Sequence, residues 1–561
     1  METHCRYIEY KDTGMFSRLI ADYLGDEKFI KDFYAHPTNL TGIASSIEER
    51  RKFPTNRTKI VAAFKEAYSH SSPSTKQLEH MEWMAQDNTF TVCTAHQPNI
   101  FSGYLYFIYK TAHVIALSQK LSADFPDCRF VPVFYIGSED NDLAELSAFN
   151  LNDKKYRWET SQSGAVGRMI ADDGVEALIK MVETELVHLP FAKEIIAIIR
   201  KAYTKGTDMA QGTFILLNEL FREQGLLVLQ PDNASLKELM KSVFRDDLLH
   251  NTAQQIVGET NARLEKQYKL QVNPRPVNLF YLRDGIRNRI DKRGNLYTVD
   301  ETVIRFTEAE MLEELNQHPE RFSPNVILRG IYQETILPNI LFVGGGSEVA
   351  YWMQLKGLFS HYKVPFPMLV LRNSFMLMDA NHEHKMKELD IHDADLFKEE
   401  TSLANALVQR WAGAELTLKT EEQESRELFS QLRKRAAAID KTLIQHVHSL
   451  EVDHLKKLET LKKKMLKVSN KIPDKMKIQY KLNALVHEME DYLKNDSAEE
   501  VIAVGRFLQE CIKVLNVKNK DLAEYLGMEA PNLSAVINGK RKLNLELADI
   551  LGQIFNTDGK L

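Results

Sequence analysis

The sequence predicts an α/β protein: an open, doubly wound parallel sheet with helical inserts, then a long helical arm, then a small all-α part at the C-terminus. Three observations carry this. Short apolar runs alternate with helical patterns up to about residue 373; glycine and proline then almost vanish while Lys and Glu become dense; and a proline-bearing break precedes several short helical patterns. These divide the chain into a sheet-bearing core (1–375), a helical, coiled-coil arm (376–470) and a C-terminal module (471–561).

In the core, TFTVCTAHQPN, SGYLYFIYKTAHVIALSQKL and RFVPVFYIG read as strand, loop and helix, and strand, from Thr89 to Gly137. Further strand-like runs follow at GLLVLQPD (225–232), VNLFYLRDG (277–285), ILFVGGG (340–346) and PFPMLVLRN (365–373), all expected in one sheet. In the arm, Leu428, Leu432, Ile439, Leu443, Val447, Leu450, Leu458, Leu461 and Met465 recur mostly at spacings of three, four or seven, a seam for a partner helix. Pro473 in SNKIPDK ends that pattern.

Composition sets limits. The 561 residues carry 72 Lys+Arg against 78 Asp+Glu and are 44% apolar, the balance of a globular chain of several domains. A net charge of −6 gives no global reason to bind nucleic acid. Cys5, Cys93, Cys128 and Cys511 are far apart and form no CxxC, so neither a structural metal nor a disulfide framework is expected, and a reducing cytoplasm fits. No apolar window reaches the ~18 residues of a membrane span, and the N-terminus carries no export signal. HExxH, GxSxG, GK[ST] and HRD/DFG signatures are absent, which removes the familiar protease, hydrolase, P-loop and kinase apparatus.

Four motifs can carry chemistry. TAHQPNIFSGYLYFIYK (94–110) places His96, Gln97, Asn99 and Ser102 at a strand-to-helix turn, where doubly wound sheets bind ligands; capping of the helix would also explain Asn99 and Ser102. YIGSEDNDLAEL (135–146) clusters Glu139, Asp140, Asp142 and Glu145 after a strand, a set able to bind an ammonium group, hold magnesium or act as a general base, and larger than capping requires. NPRPVNLFYLRDGIRNRI (273–290) supplies Arg275, Arg283, Arg287 and Arg289, forks for carboxylate or phosphate. NVILRGIYQETILPNILFVGGGSEVAYWMQLK (325–356) joins a triple glycine to Glu348, Tyr351, Trp352 and Lys356 on the following helix.

In this order, the four motifs resemble the BshC family, cysteine-adding enzymes of bacillithiol biosynthesis, over about residues 1–470. The first is similar to that family's TGQQ-type turn and G-x-x-Y-x-x-x-K helix, and the last to its N-V-x-x-R-P and G-P-G-E-x-x-Y-W block. The resemblance implies a Rossmann-like core, a coiled-coil arm that forms a homodimer, and a ligase joining the carboxyl of cysteine to the amine of glucosaminyl-malate. It points to ATP, with magnesium, as the energy source. Glu139, Asp140 and Asp142 would be the catalytic carboxylates; His96, Gln97, Asn99 and Ser102 would line the substrate mouth; and Arg329, Gly346, Glu348, Tyr351 and Trp352 would close it. His96 stands where the family often has Gln or Gly, and Gly330 where it usually has Pro.

The tail departs from that pattern, lacking an LQER-like returning helix and a terminal Y-x-K-Y-G-like motif. VKNKDLAEYLGMEAPNLSAVINGKRKLNLELADILGQIFN instead resembles an Xre/HigA-type helix-turn-helix, with helices at 521–526 and 531–537 about Gly527. That resemblance implies base contacts from Asn532 and Ser534, phosphate contacts from Lys540, Arg541 and Lys542, and DNA or a toxin protein as partner. The module's nearly balanced charge and the acidic Glu529 keep a role in protein contact alone as the alternative. Two alternatives to a working ligase follow: a DNA-binding regulator whose α/β part senses a small molecule, and an inactive truncated enzyme.

Overall fold

The computed structural model describes residues 5–151, 154–411, 418–469, 509, 512–513, 518–525 and 528–538. Its strands are β1 (Thr89–His96), β2 (Arg129–Ile136), β3 (Ala148–Leu151), β4 (Lys154–Arg157), β5 (Leu227–Leu229), β6 (Leu279–Arg283), β7 (Ile286–Arg293), β8 (Leu296–Val299), β9 (Arg305–Thr307), β10 (Phe322–Pro324), β11 (Asn339–Gly344) and β12 (Met368–Leu371).

Five of them form a wholly parallel sheet in the order β12-β11-β1-β2-β5. β1 and β11 are apolar and β-branched on both faces, and every residue from Thr89 to Ala95 is buried, as a strand covered on both sides requires. The helix Tyr106–Asp124 carries the chain from β1 to β2, and the helix Gly346–Tyr362 from β11 to β12. After β1 the chain builds outward through β2 and β5. It then returns to β1's other side with β11 and β12, so the crossovers diverge between β1 and β11. That gap, at the carboxyl ends of the strands, is where such sheets bind ligands.

The run 277–285 does not join this sheet. β6 turns directly into β7 through Asp284-Gly285, and β7 into β8 through Gly294-Asn295, with both glycines at positive φ. Two-residue loops of this composition make hairpins, so these strands form an antiparallel sheet, β10-β6-β7-β8-β9, and not crossovers. A separate apolar cluster lies beneath the helices Asp173–Leu186, Ala192–Ala202 and Met209–Phe221, with Trp158, Val175 and Ile179 buried in it.

The N-terminal helix Leu40–Arg51 is tied to the core by a buried ion pair. Arg50 donates to the Glu334 carboxylate at 2.6 Å and to its backbone carbonyl at 2.8 Å. Asn339 satisfies the other carboxylate oxygen at 2.8 Å, so both oxygens of the buried carboxylate are bonded, while the Arg50 Nε is left without a partner.

The chain divides into two compact units, 1–378 and 379–561. In the second, the seam expected over one helix is interrupted. Lys419–Ile439 and Leu443–Ser469 are two helices, separated where the Asp440 side chain accepts bonds from the Thr442 amide and hydroxyl, each at 2.8 Å. They fold back antiparallel: Arg433 pairs with Glu451, and Ser425 and Phe429 both meet His454. The arm therefore contains a return within 428–465, though Leu428, Ile439, Leu450 and Leu461 stay exposed.

Farther on, Asn519–Tyr525 and Ala530–Ile537 are helices, with Leu522, Ala523, Leu533, Val536 and Ile537 buried. Asn532 and Ser534 are half-buried, and the Ser534 carbonyl accepts a bond from the Asn538 amide. Gly527, Lys540, Arg541 and Lys542 lie outside the described residues. No described helix is long and apolar enough to cross a membrane.

Close packing of the Leu40–Arg51 helix generates a test. A Cβ on Gly42 would stand 2.0 Å from the Pro37 carbonyl oxygen and 2.9 Å from Met368 in β12, whereas one on Gly258, also helical, would meet nothing within 4 Å. Gly42→Ala should destabilise the core by about 1–3 kcal/mol. Gly258→Ala should stabilise it by roughly 0.5–1 kcal/mol, and paired thermal melts read both.

Candidate functional site

A cleft of about 500 Å³ opens at the carboxyl ends of the parallel strands, astride the gap between β1 and β11. Each strand delivers residues to it: Ala95 to Gln97 from β1, Gly137 to Asp140 from β2, Pro231 after β5, Gly345 to Glu348 after β11, and Arg372 after β12. The antiparallel sheet closes the side with Arg287 and Pro324. Arg329 and Tyr351 complete the wall from the two flanking helices.

The acidic turn separates into four fates. Asp140 faces the cleft, where Gln97 donates to it at 3.1 Å and an Arg287 nitrogen lies 3.7 Å away. Asn141 locks that pair: its amide N–H donates to Asp140 at 2.8 Å, and its side-chain oxygen accepts from Arg287 at 2.9 Å. Glu139 points inward to the buried Lys237, which also binds Asp232 at 3.0 Å and the Glu320 carbonyl at 3.0 Å. Burial pushes the Glu139 carboxyl up against the pull of Lys237. Burial also acts on Asp232, but Lys237 and a two-pronged bond from Arg168 leave it below the usual carboxylate range. Asp142 is exposed and caps the short helix Leu143–Leu146; it does not line the cleft. Glu145 sits at the rim, raised by partial burial and then by Asp142 and Asp140.

The turn after β1 divides too. His96 and Gln97 line the cleft, and burial together with the Lys110 ammonium lowers the His96 imidazole to about 4, so it is neutral near pH 7. Asn99 is buried with both side-chain amide atoms unbonded, and Ser102 takes a left-handed conformation beside Phe101 and Gly103. Neither lines the cleft, and neither caps a helix: the Tyr106–Asp124 helix begins without a side-chain cap.

Across the gap, Gly345 and Gly346 open the helix Gly346–Tyr362, whose leading amides have no carbonyl a turn earlier to bond. Glu348 accepts the Gly345 N–H at 2.8 Å and the Lys110 ammonium at 2.7 Å. Burial pushes Glu348 up, but Lys110 and that amide outweigh it and hold the carboxyl below its ordinary value. Arg329 donates to the Tyr351 hydroxyl and lies 5.8 Å from the Tyr135 ring centroid. Trp352 belongs to the core: it is fully buried, stacked on Phe342 at 4.6 Å, and points away from the mouth it was expected to close.

Of the arginines around β6 and β7, Arg287 alone is a wall of the cleft, while Arg283 pairs with Glu314 outside it. Arg372, Tyr106, Lys110, Lys237 and Asp232 were not anticipated as site residues. Arg372 had a readable signal, since it directly follows a strand's carboxyl end; Lys237 and Asp232 lie far in sequence from the carboxylate they serve. Among the described residues, no three of His, Cys, Asp and Glu converge as metal ligands.

Comparison with known proteins agrees with this architecture. Residues 1–373 match the family model described as the N-terminal Rossmann-like domain of bacillithiol biosynthesis BshC, and residues 375–493 match the model of its C-terminal coiled-coil domain. The second match takes into the coiled-coil domain residues 471–493, which the sequence pattern had assigned to the helix-turn-helix module. A Flavobacterium johnsoniae protein named "Putative cysteine ligase BshC" is 36% identical over 84% of this chain and 89% of its own length. Proteins of the same name from Flavobacterium psychrophilum and Cytophaga hutchinsonii are 34% and 35% identical, over 89% and 83% of this chain and 93% and 88% of their own lengths. With a parallel sheet, a cleft at its switch point and a helical arm in the matching order, the chain belongs to the BshC family of bacillithiol biosynthesis.

Proposed function

We propose that this protein is an amide-forming ligase that joins the carboxyl of cysteine to the amine of glucosaminyl-malate. The observation that carries the reading is the composition of the cleft: Asp140 stands among three arginines, Arg287, Arg329 and Arg372, with Glu145 at the rim. A substrate with two malate carboxylates and an ammonium group has the complementary charges, and arginine forks suit carboxylates.

Amide formation from a free carboxylate requires that one carboxyl oxygen leave, so the carboxyl must first be activated; we assign that role to ATP. The Gly345 turn and Arg372 fit an anion, since the leading amides of the helix and a guanidinium face the same cleft. Magnesium would enter with the nucleotide, because Glu139 is committed to Lys237 and Asp142 to a cap, which leaves Asp140, of the three proposed carboxylates, without such a commitment. The amine attacks only once unprotonated, and Asp140 is placed to receive its proton. Gln97, Asn141 and Arg287 fix the Asp140 carboxylate, and His96, neutral near pH 7, adds no positive charge to repel an ammonium group.

The arm's exposed leucines support a homodimer formed through it, and the reducing cytoplasm suits a thiol substrate. The two helices within 519–537 support a helix-turn-helix reading by their spacing. Salt-dependent gel shifts with duplex DNA test that reading, and no retardation at low salt would reject it.

Purified full-length protein incubated with cysteine, glucosaminyl-malate and Mg-ATP should yield bacillithiol by mass spectrometry; folded protein that makes none would reject the ligase. Asp140→Asn should lower kcat by about 10²-fold or more with an unchanged melting temperature. Wild-type turnover in that variant would remove Asp140 from the chemistry.

A further inference from the structure

The ladder between β1 and β11 ends at Thr94 and Val343, so beyond it the two strands part around the cleft. Lys110, on the helix Tyr106–Asp124, spans the opening. Its side chain is 1% exposed, and its ammonium donates to the Ala95 carbonyl of β1 and to the Glu348 carboxylate on the far side, both at 2.7 Å. The same Glu348 oxygen takes the Gly345 N–H, the first amide of the glycine turn. One buried cation thus joins a strand end, a carboxylate and a helix start across the gap.

The arrangement has an electrostatic purpose beyond fastening. Glu348 lies within the first turn of a helix whose leading amides face the cleft, and a free carboxylate there would compete with an anionic substrate for those amides and repel it. Lys110 neutralises that charge and draws it toward β1, so Glu348 caps Gly345 and leaves the following amides to the cleft. We infer that Lys110, acting through Glu348, is a positioning residue that keeps the Gly345 to Ser347 turn open to an anionic group of the bound substrate.

The chemistry of that group is a carboxylate or phosphate oxygen, and it has two sources under the ligase reading, on which the inference rests: glucosaminyl-malate and ATP. If the role were merely structural, removing a second member of the pair would do at least as much harm as removing one. Positioning predicts the reverse. Lys110→Met leaves a bare carboxylate beside the amides; adding Glu348→Gln removes that charge while keeping an acceptor for the Gly345 N–H.

Isothermal titration calorimetry of the full-length protein with Mg-ATP and, separately, glucosaminyl-malate tests this, with near-UV circular dichroism to verify folding. In K110M the Kd of one ligand should rise by about tenfold or more, and the ligand affected identifies the anion. The double variant K110M/E348Q should recover most of that loss. Unchanged affinities in K110M, or a double variant that binds no better than the single, would overturn the inference. Should K110M fail to fold, the double variant decides alone: a Kd within about tenfold of wild type supports positioning, and a larger loss overturns it. Wild-type protein that binds but forms no amide defeats the ligase reading and leaves the binding comparison decisive; wild-type protein that binds neither ligand overturns both.

Discussion

The parting of β1 and β11 is the constraint on which the site depends. A parallel sheet built outward in two directions from one central strand must leave a gap where the crossovers diverge, and here the gap receives loops from all five strands. Such an opening exposes backbone carbonyls and amides that a continuing ladder would have paired. The protein answers with buried polar groups: the Thr94 hydroxyl donates to the Val343 carbonyl of β11 at 2.8 Å, and Lys110 donates to the Ala95 carbonyl of β1. Lys110 is thus buried behind the binding surface, and both of its partners, Ala95 and Glu348, line the cleft.

Charge in the cleft is arranged in two tiers. In the lower tier the buried ammonium of Lys110 offsets Glu348, and Lys237 together with Arg168 offsets Glu139 and Asp232, each set joining elements distant in sequence. Above them, Asp140 and the three arginines remain directed at the cleft. Buried pairs contribute little net stability once desolvation is counted; what they contribute is the geometry they impose on the upper tier. Arg287 shows the link: its guanidinium is packed 4.0 Å from the Phe280 ring centroid and bonded to Asn141, which also holds Asp140.

The parallel sheet was legible because its strands are buried on both faces and therefore read as unbroken apolar runs, β1 and β11 most clearly. What misled was β6, equally apolar, whose Asp-Gly turn outranks its hydrophobicity as evidence; the register Arg283 to Ile286 is set by two residues. In the arm, spacing alone carried the seam through Asp440, although an Asx-turn residue there can end a helix. At the site, strand ends located His96, Gln97 and Asp140, but they could not tell a carboxylate facing the cleft from one turned inward. Glu139 and Asp140 are adjacent and differ because Lys237, about a hundred residues later, lies on only one side of the turn. Trp352 was misplaced for the converse reason: the helix Gly346–Tyr362 is apolar nearly all round, so no periodicity marks which of its aromatic residues faces the cleft.

The same strand order bears on how the chain is made. Thr91 of β1 bonds Asn339 of β11 across 248 residues of sequence, while β2 follows β1 at once. During synthesis, β1, β2 and β5 emerge long before β11, so the apolar edge of β1 has no partner strand until β11 follows. Closing it is the late, high-contact-order step of folding. The nascent core is thus most vulnerable to aggregation along the very strand edge that later frames the cleft.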